Sequence, residues 1–384
     1  MTSQNNPIMM KDEPTFILPK NQRFSCLGCG RCCMYPYAAR LTKGDYKTLI
    51  AANIKKSKNS EKPLEPPIVS NSRYESHPYI ISYEEKRCYF LTSNKQCLIE
   101  LKSHSDNKPE ACQRFPYLPH ETPEGIFVGV DFTCPSIISN VGTEISERNY
   151  IDLKSIWHTV TSEPIFLTEG VSINWNSYIS LENRSKYLIR HSESPDTALL
   201  AIYRTINQII KNISSQNVSN ENNLHNLIED SFPLETTSDP SPSFVDIISD
   251  KIQLGIIPEI SVQLNLPSDI DDWLTLPSAI DVNITPEENL RRYLLHSLFR
   301  KDLIKAPLSI VSNLESLIFR NALCQLYASQ NALRKEHNQI TNRNMADAIA
   351  MAELHRKQPP TDQSFTEIKF RNIISEFFLY IYGI

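Results

Sequence analysis

Glycine is scarce in this chain, with nine residues in 384, at positions 28, 30, 44, 125, 129, 142, 170, 255 and 383. No G-x-G-x-x-G turn and no Walker A loop can be assembled from those positions, so the usual glycine-loop sites for nucleotides or S-adenosylmethionine are not expected. No run of about eighteen apolar residues occurs, and no membrane span is expected. The C-terminal FFLYIYGI is apolar but too short to cross a bilayer. Met1 to Lys20 is polar, is broken by Pro7, Pro14 and Pro19, and lacks the apolar core of a secretory signal. A basic excess is missing too: the net charge of −5 offers no field for phosphate backbones, so a nucleic-acid partner is not expected. The chain reads as cytoplasmic. Its length leaves room for two compact domains, and 40% hydrophobic with 22% charged residues is ordinary for a folded protein.

What the chain does have is cysteine, unevenly placed. Eight of its nine cysteines fall between 26 and 134: Cys26, Cys29, Cys32, Cys33, Cys88, Cys97, Cys112 and Cys134. Cys324 stands alone in a helical pattern and reads as a small buried hydrophobe. The asymmetry sets a boundary, giving a tail over 1–21, a cysteine-cluster domain over 22–145 and a mainly helical domain over 146–384. The expected class is α+β: a small irregular metal domain with short strands, then helices.

The core feature is the C-x2-C-x2-C-C run of Cys26, Cys29, Cys32 and Cys33. Two-residue gaps let successive thiolates turn toward one centre, and Gly28 and Gly30 permit the positive φ that such a loop needs. Zinc sites use paired knuckles of this kind. Iron–sulfur clusters use C-x2-C-x2-C for three corners and a remote cysteine for the fourth; here Cys134 is followed by Pro135. Adjacent Cys32 and Cys33 are expected to diverge, either serving different centres or leaving one as a supporting or redox thiol. A disulfide framework needs an oxidising compartment, to which nothing in the sequence points. All eight clustered cysteines are therefore candidate metal ligands, for zinc or an iron–sulfur cluster.

Around the run, Thr42 and Asp45 read as a helix start toward Ile54. Cys88–Leu91 reads as a buried strand turning at Ser93-Asn94 into Cys97–Ile99. Pro109 to Arg114 reads as a short helical turn carrying Cys112, and Ile126–Phe132 as a strand ending at Cys134. The ordered set CLGCGRCC, CYFL, CLIE, KPEACQRFP and a late CP, over about 22–136, resembles the CxxCxxCC family of zinc- or iron-chelating domains. That resemblance implies metal ligation by the cysteines and draws attention to Arg114, Phe115 and Pro116, with Arg114 a candidate counter-charge to a thiolate centre. Glu288 to Lys301 resembles a segment of the flagellin lysine N-methylases. This implies a second reading, an iron–sulfur-dependent protein-lysine N-methyltransferase using S-adenosylmethionine, while the CLIE block is closer to the plain chelating domain.

The second half reads as helices over Ala198–Ile213, from Thr285 with Pro286 at its first position, Leu308–Ala328, Asn342–Arg356 and Ile368–Tyr382. A polar loop is expected near 214–244. His296, His337 and His355 lack an i,i+4 partner that would make a metal pair, and no catalytic group can be named. The helical domain is the expected place for a protein substrate or partner.

Overall fold

The computed structural model describes residues 15–34, 39–54, 68–70, 77–84, 87–102, 107–146, 159–161, 164–216, 221–233 and 284–357. Strands β1 (Phe16–Ile17) and β2 (Arg23–Phe24) precede a 3-10 turn at Arg31–Cys33. Then come β3 (Arg40–Leu41), α1 (Lys43–Ala52), β4 (Ile68–Ser70), β5 (Tyr79–Ile81), β6 (Tyr83–Glu84) and β7 (Arg87–Cys88). Two short helices, α2 (Leu98–Lys102) and α3 (Glu110–Arg114), lead to the hairpin β8 (Tyr117–Thr122) and β9 (Gly125–Val130). After α4 (Pro135–Ile138) lie β10 (Thr143–Glu144), β11 (Thr159–Val160), β12 (Ile165–Thr168) and β13 (Val171–Ile173). Helices dominate the rest: α5 (Trp175–His191), α6 (Pro195–Gln216), α7 (Glu221–Ser231), α8 (Pro286–Phe299), a 3-10 turn at Asp302–Ile304, α9 (Ile310–Arg334) and α10 (Asn342–Lys357). The class is α+β.

Two apolar clusters organise these elements. The smaller gathers Leu41, Leu49, Ile54, Ile68, Ile81, Cys88, Tyr89, Phe90, Leu91 and Ile99 under the β3-β5-β4 sheet and α1. The larger joins the four-stranded sheet β1-β9-β8-β11 to the helices, through Val128, Val130, Phe132, Tyr178, Tyr293, Leu314 and Ile349 among others. Strand β9 is the contact: its continuous apolar run Ile126-Phe127-Val128 suits a strand covered by packing partners. Gly129 is required there, because a Cβ at that position would collide with the Cβ of Arg300 at the end of α8.

Buried ion pairs pin the large body. Arg300 donates to Glu353 (2.7 Å) on α10, to Asp302 (2.7 Å) and to the Val130 carbonyl (3.1 Å) of β9. Lys301 donates to both oxygens of Glu182 on α5 (2.8 and 2.9 Å), with its Nζ 3.8 Å from the Phe127 ring centroid. These charges are buried in pairs, which is how a protein tolerates them.

The helix starts follow the side chains that cap them. Thr42 and Asp45 exchange hydrogen bonds of 2.8 and 3.0 Å, and Thr285 and Glu288 do the same at 2.7 and 3.2 Å. Ser309 and Thr341 cap α9 and α10. Three expectations change. The polar stretch from 214 contains α7, whose Ile228 and the following Phe232 are buried in the large core. The residues after Cys97 form the helix α2 rather than a strand, because only the Leu91–Cys97 bridge carries the pairing. Pro109 caps α3 instead of occupying its first turn. The expected helix over Ile368–Tyr382 lies outside the described residues. Among the described residues no helix is long and apolar enough to cross a membrane.

Candidate metal centre

The cysteine loop is held at both ends by different parts of the molecule. Its entry, Phe24-Ser25, pairs with β10 at Thr143, and the Ser25 amide donates to Ser136 Oγ at 3.2 Å. Its exit packs on the Thr92–Gln96 turn: a Cβ on Gly30 would come within 2.7 Å of the Lys95 carbonyl and 3.0 Å of Leu91. Gly28 and Gly30 take φ of 60° and 68°, the left-handed region open to glycine. Gly30 then starts the 3-10 turn, where its carbonyl accepts from Cys33 N at 2.9 Å and Met34 N at 3.1 Å.

That tight turn overrides the expected divergence of the neighbouring pair. The sulfurs of Cys32 and Cys33 lie 3.9 Å apart. Cys33 also shares thiol hydrogen bonds with Cys88 and Cys97, so sulfurs from the loop, from β7 and from the start of α2 meet there. Cys112 on α3 lies within electrostatic reach of Cys88, Cys32 and Cys97. Asp45 brings α3 to the site, because its Oδ1 accepts from the Glu110 amide at 3.0 Å while its Oδ2 caps α1.

The remaining clustered thiols are Cys26, Cys29 and Cys134. Cys134 follows β9 and senses Cys29 and Cys32, and Cys29 senses Cys32 and Cys26. Cys324 is buried in the large core, where burial raises its thiol. All nine cysteines are free.

The electrostatics are those of sulfurs competing for a cation. Hydrogen bonds to Cys32, Cys88 and Cys97 push the Cys33 thiol far up, so it keeps its proton. The same bond to Cys33 draws Cys97 down to about 6 and lowers Cys32 and Cys88. Cys33 thus faces three sulfurs shifted toward the thiolate, the form that binds a metal when it displaces protons from thiols. Four thiols also accept backbone N–H groups from residues just downstream: Cys29 from Arg31, Cys88 from Phe90, Cys97 from Glu100 and Ile99, and Cys134 from Ile137 and Ser136. Such bonds favour the charged sulfur. The donor chemistry fits a thiophilic metal. Among the described residues no three His, Cys, Asp or Glu side chains already stand as a closed ion site, so ligation would draw the sulfurs inward.

Arg114 is paired electrostatically with Glu110 and Asp131. Two cations stand beside the sulfurs: Lys108, near Cys32, Cys97 and Cys26, and Arg31, buried between Cys29, Cys134 and Asp347 of α10, with burial lowering it to about 10. Its place inside C-x2-C-x2-C-C was the available signal. His296 is a core residue whose Nε2 accepts from the Val130 amide at 3.1 Å, and His337 bonds Asn344 at 3.1 Å; neither reaches the sulfurs.

Residues 25–135 match the family model CxxCxxCC, described as a putative zinc- or iron-chelating domain. The match starts at the loop entry and ends just after Cys134, so it takes in all eight clustered cysteines. No curated protein and no solved structure matches the chain.

Proposed function

We propose that the CxxCxxCC region binds zinc or iron through its thiolates, and that metal ligation is the chemistry this protein is built around. The observation carrying this reading is the meeting of the Cys33 sulfur with those of Cys32, Cys88 and Cys97, brought from the loop, from β7 and from the start of α2. Apolar packing alone gives no reason to gather sulfurs from three separate elements, whereas a metal rewards it. Metal analysis and visible absorption on anaerobically purified full-length protein test the proposal. Stoichiometric zinc without colour identifies a zinc protein; a broad visible band bleached by dithionite identifies iron–sulfur. Protein carrying neither metal and taking up neither when reduced overturns it.

The methyltransferase reading rests on the Glu288–Lys301 resemblance. In the structure Tyr293, His296, Arg300 and Lys301 of that segment are buried in core contacts and ion pairs, which accounts for them as scaffold. Binding of S-adenosylmethionine to metal-loaded protein would restore that reading; no binding removes it.

A further inference from the structure

We infer that Arg292 is a positioning residue for the candidate ligand Cys134: from helix α8 it locks the one-turn helix α4, at whose start that cysteine stands. The inference rests on the thiolate-metal reading above and goes beyond it by naming what holds the remote thiol in place.

Cys134 directly precedes Pro135, and α4 is only Pro135–Ile138. A helix of one turn has almost no hydrogen bonding of its own, so its orientation is set by whatever takes its free carbonyls. Two long side chains do so here. Arg292 Nη2 donates to the Ile137 carbonyl at 3.2 Å and to the Ile138 carbonyl, and Gln22 Nε2 donates to Ile137 at 3.4 Å. Asn289, one turn back on α8, accepts from the same Arg292 nitrogen at 3.2 Å and fixes its direction. The guanidinium also lies over the Phe132 ring, 5.7 Å from its centroid. All four residues of α4 are buried. Turning α4 would therefore strand its carbonyls away from both Arg292 and water, a costly outcome for a buried backbone.

The strand side of Cys134 is gripped by the same helix. His296 Nε2 accepts from the Val130 amide at 3.1 Å, and Arg300, just past α8, donates to the Val130 carbonyl at 3.1 Å. Phe132 packs edge-on against Tyr293 and His296, with centroids 5.2 and 5.3 Å apart. Asn289, Arg292, Tyr293 and His296 stand three or four positions apart in sequence, which puts them on one face of α8. Between the two grips the chain turns tightly: the Thr133 amide donates to Asp131 Oδ1 at 2.9 Å and the Cys134 amide to the Asp131 carbonyl at 3.1 Å. Cys134 is thus fixed on both sides by α8 and is only 7% exposed.

The same corner reaches the cysteine loop. Asn140 Oδ1, two residues beyond α4, accepts from Gln22 Nε2 at 3.0 Å and from the Arg23 amide at 2.7 Å, and Ser136 Oγ accepts from the Ser25 amide. A shift of α4 would carry the entry to Cys26 with it. The large body therefore presents Cys134 already in place before any metal arrives, and Arg292 does this without touching a sulfur. Side chains that orient a ligand from outside the coordination shell control metal affinity in this way.

The test uses the full chain and Arg292→Gln, which removes the charged fork. Reduced, metal-free protein is alkylated under native conditions and mapped by mass spectrometry. Separately it is titrated anaerobically with cobalt(II), whose thiolate charge-transfer band reports ligation. Cys134 should be alkylated several-fold faster than in the parent chain, while Cys33, Cys88 and Cys97 keep their rates. Cobalt affinity should fall about tenfold, the size expected when the outer support of a ligand is lost. Arg291→Gln is the matched control, because Arg291 donates to the carbonyls of Ile189, Ser192 and Glu193 at the end of α5, at 2.6, 2.7 and 2.8 Å. It should lower the helical melting midpoint and leave Cys134 reactivity and cobalt affinity as they were. If Arg292→Gln lacks the helical circular dichroism of the parent, Arg292→Lys, which keeps the charge, replaces it and should shift both readouts the same way by less. Parent-like Cys134 rates and cobalt affinity in a folded Arg292 variant, or an equal effect from Arg291→Gln, overturn the positioning role. A parent chain that binds neither cobalt, zinc nor iron sinks the ligation reading instead, and the Cys134 rate in metal-free protein still decides whether Arg292 holds that residue.

Discussion

Around Leu41, Ile81 and Phe90 the chain uses strands of 2 or 3 residues and helices of 10 and 5, while around Leu290, Leu314 and Ile349 it uses helices of 14, 25 and 16. The small body has little apolar surface to bury, and a core that size does not hold a fold by itself. The large body buries long helical faces and locks them with the Arg300–Glu353 and Lys301–Glu182 pairs. The difference teaches where the thiols belong in the energetics. A thiolate-bound structural metal supplies on the order of 10 kcal/mol, comparable with the whole stability of a small domain, so the small body can depend on it where the large one need not.

The harshest way to break this comparison is to remove the metal. Chelation of loaded protein should abolish amide-exchange protection over α1 and the 87–102 segment, while α5, α8, α9 and α10 keep theirs. Equal loss in both bodies would show that the helices depend on the metal as well. The next largest effect belongs to the large body. Glu353→Ala leaves Arg300 with Asp302 but without its α10 partner, and breaking a buried pair in this way costs about 3–5 kcal/mol. Urea unfolding followed by helical circular dichroism should show that loss, with cobalt affinity nearly unchanged.

Acid should sharpen the contrast further. His296 is held neutral, down to about 3 from its ordinary 6.5, by burial and by Arg300 and Arg292, and its Nε2 accepts from the Val130 amide. The unfolded chain takes up that proton below about 6.5 and the folded one does not. The stabilisation is therefore complete above pH 6.5 and drains away as pH falls toward 3, by about 2 kcal/mol at pH 5. His296→Gln keeps an acceptor that does not titrate, so the melting midpoint of its helices should fall less between pH 7 and 5 than that of the parent chain. Parallel slopes would remove His296 as the cause.

Much of this architecture was legible because local chemistry set it. Thr42, Thr285 and Thr341 announce their helices by the bonds they can make, and β9 announces itself by an unbroken apolar run. Helix α5 was not legible. Its buried face mixes Trp175, Tyr178, Leu181 and Leu188 with Ser177, Ser180, Glu182 and Ser185, and the buried Glu182 meets Lys301 from just beyond α8 as well as Lys186 and Tyr178 of its own helix. A buried charge with one partner 119 positions away hides the apolar stripe. The residues after Cys97 are too few for periodicity to separate strand from helix. The cysteines were visible as candidate ligands by spacing alone, but their neighbours were not. Which sulfurs meet depends on the β2–β10 pairing and on the fit of Gly30 against Lys95, neither of which spacing encodes.

The smallest effect is also the cleanest comparison, because each body contains the same capping box. Thr42 with Asp45 starts α1, and Thr285 with Glu288 starts α8. Replacing either threonine with alanine removes a cap worth about 1 kcal/mol. In the large body that loss should appear as a lower unfolding midpoint, with metal affinity unaltered. In the small body, where folding and ligation are one equilibrium, it should appear as metal affinity. Asp45 also holds the Glu110 amide of α3 and so helps place Cys112. Thr42→Ala should therefore weaken cobalt binding about fivefold, the equivalent of about 1 kcal/mol, and should leave the helical melting transition in place. A Thr42→Ala chain with unchanged affinity would mean that the small body folds before it meets its metal, and that the contrast between the two bodies is one of size alone.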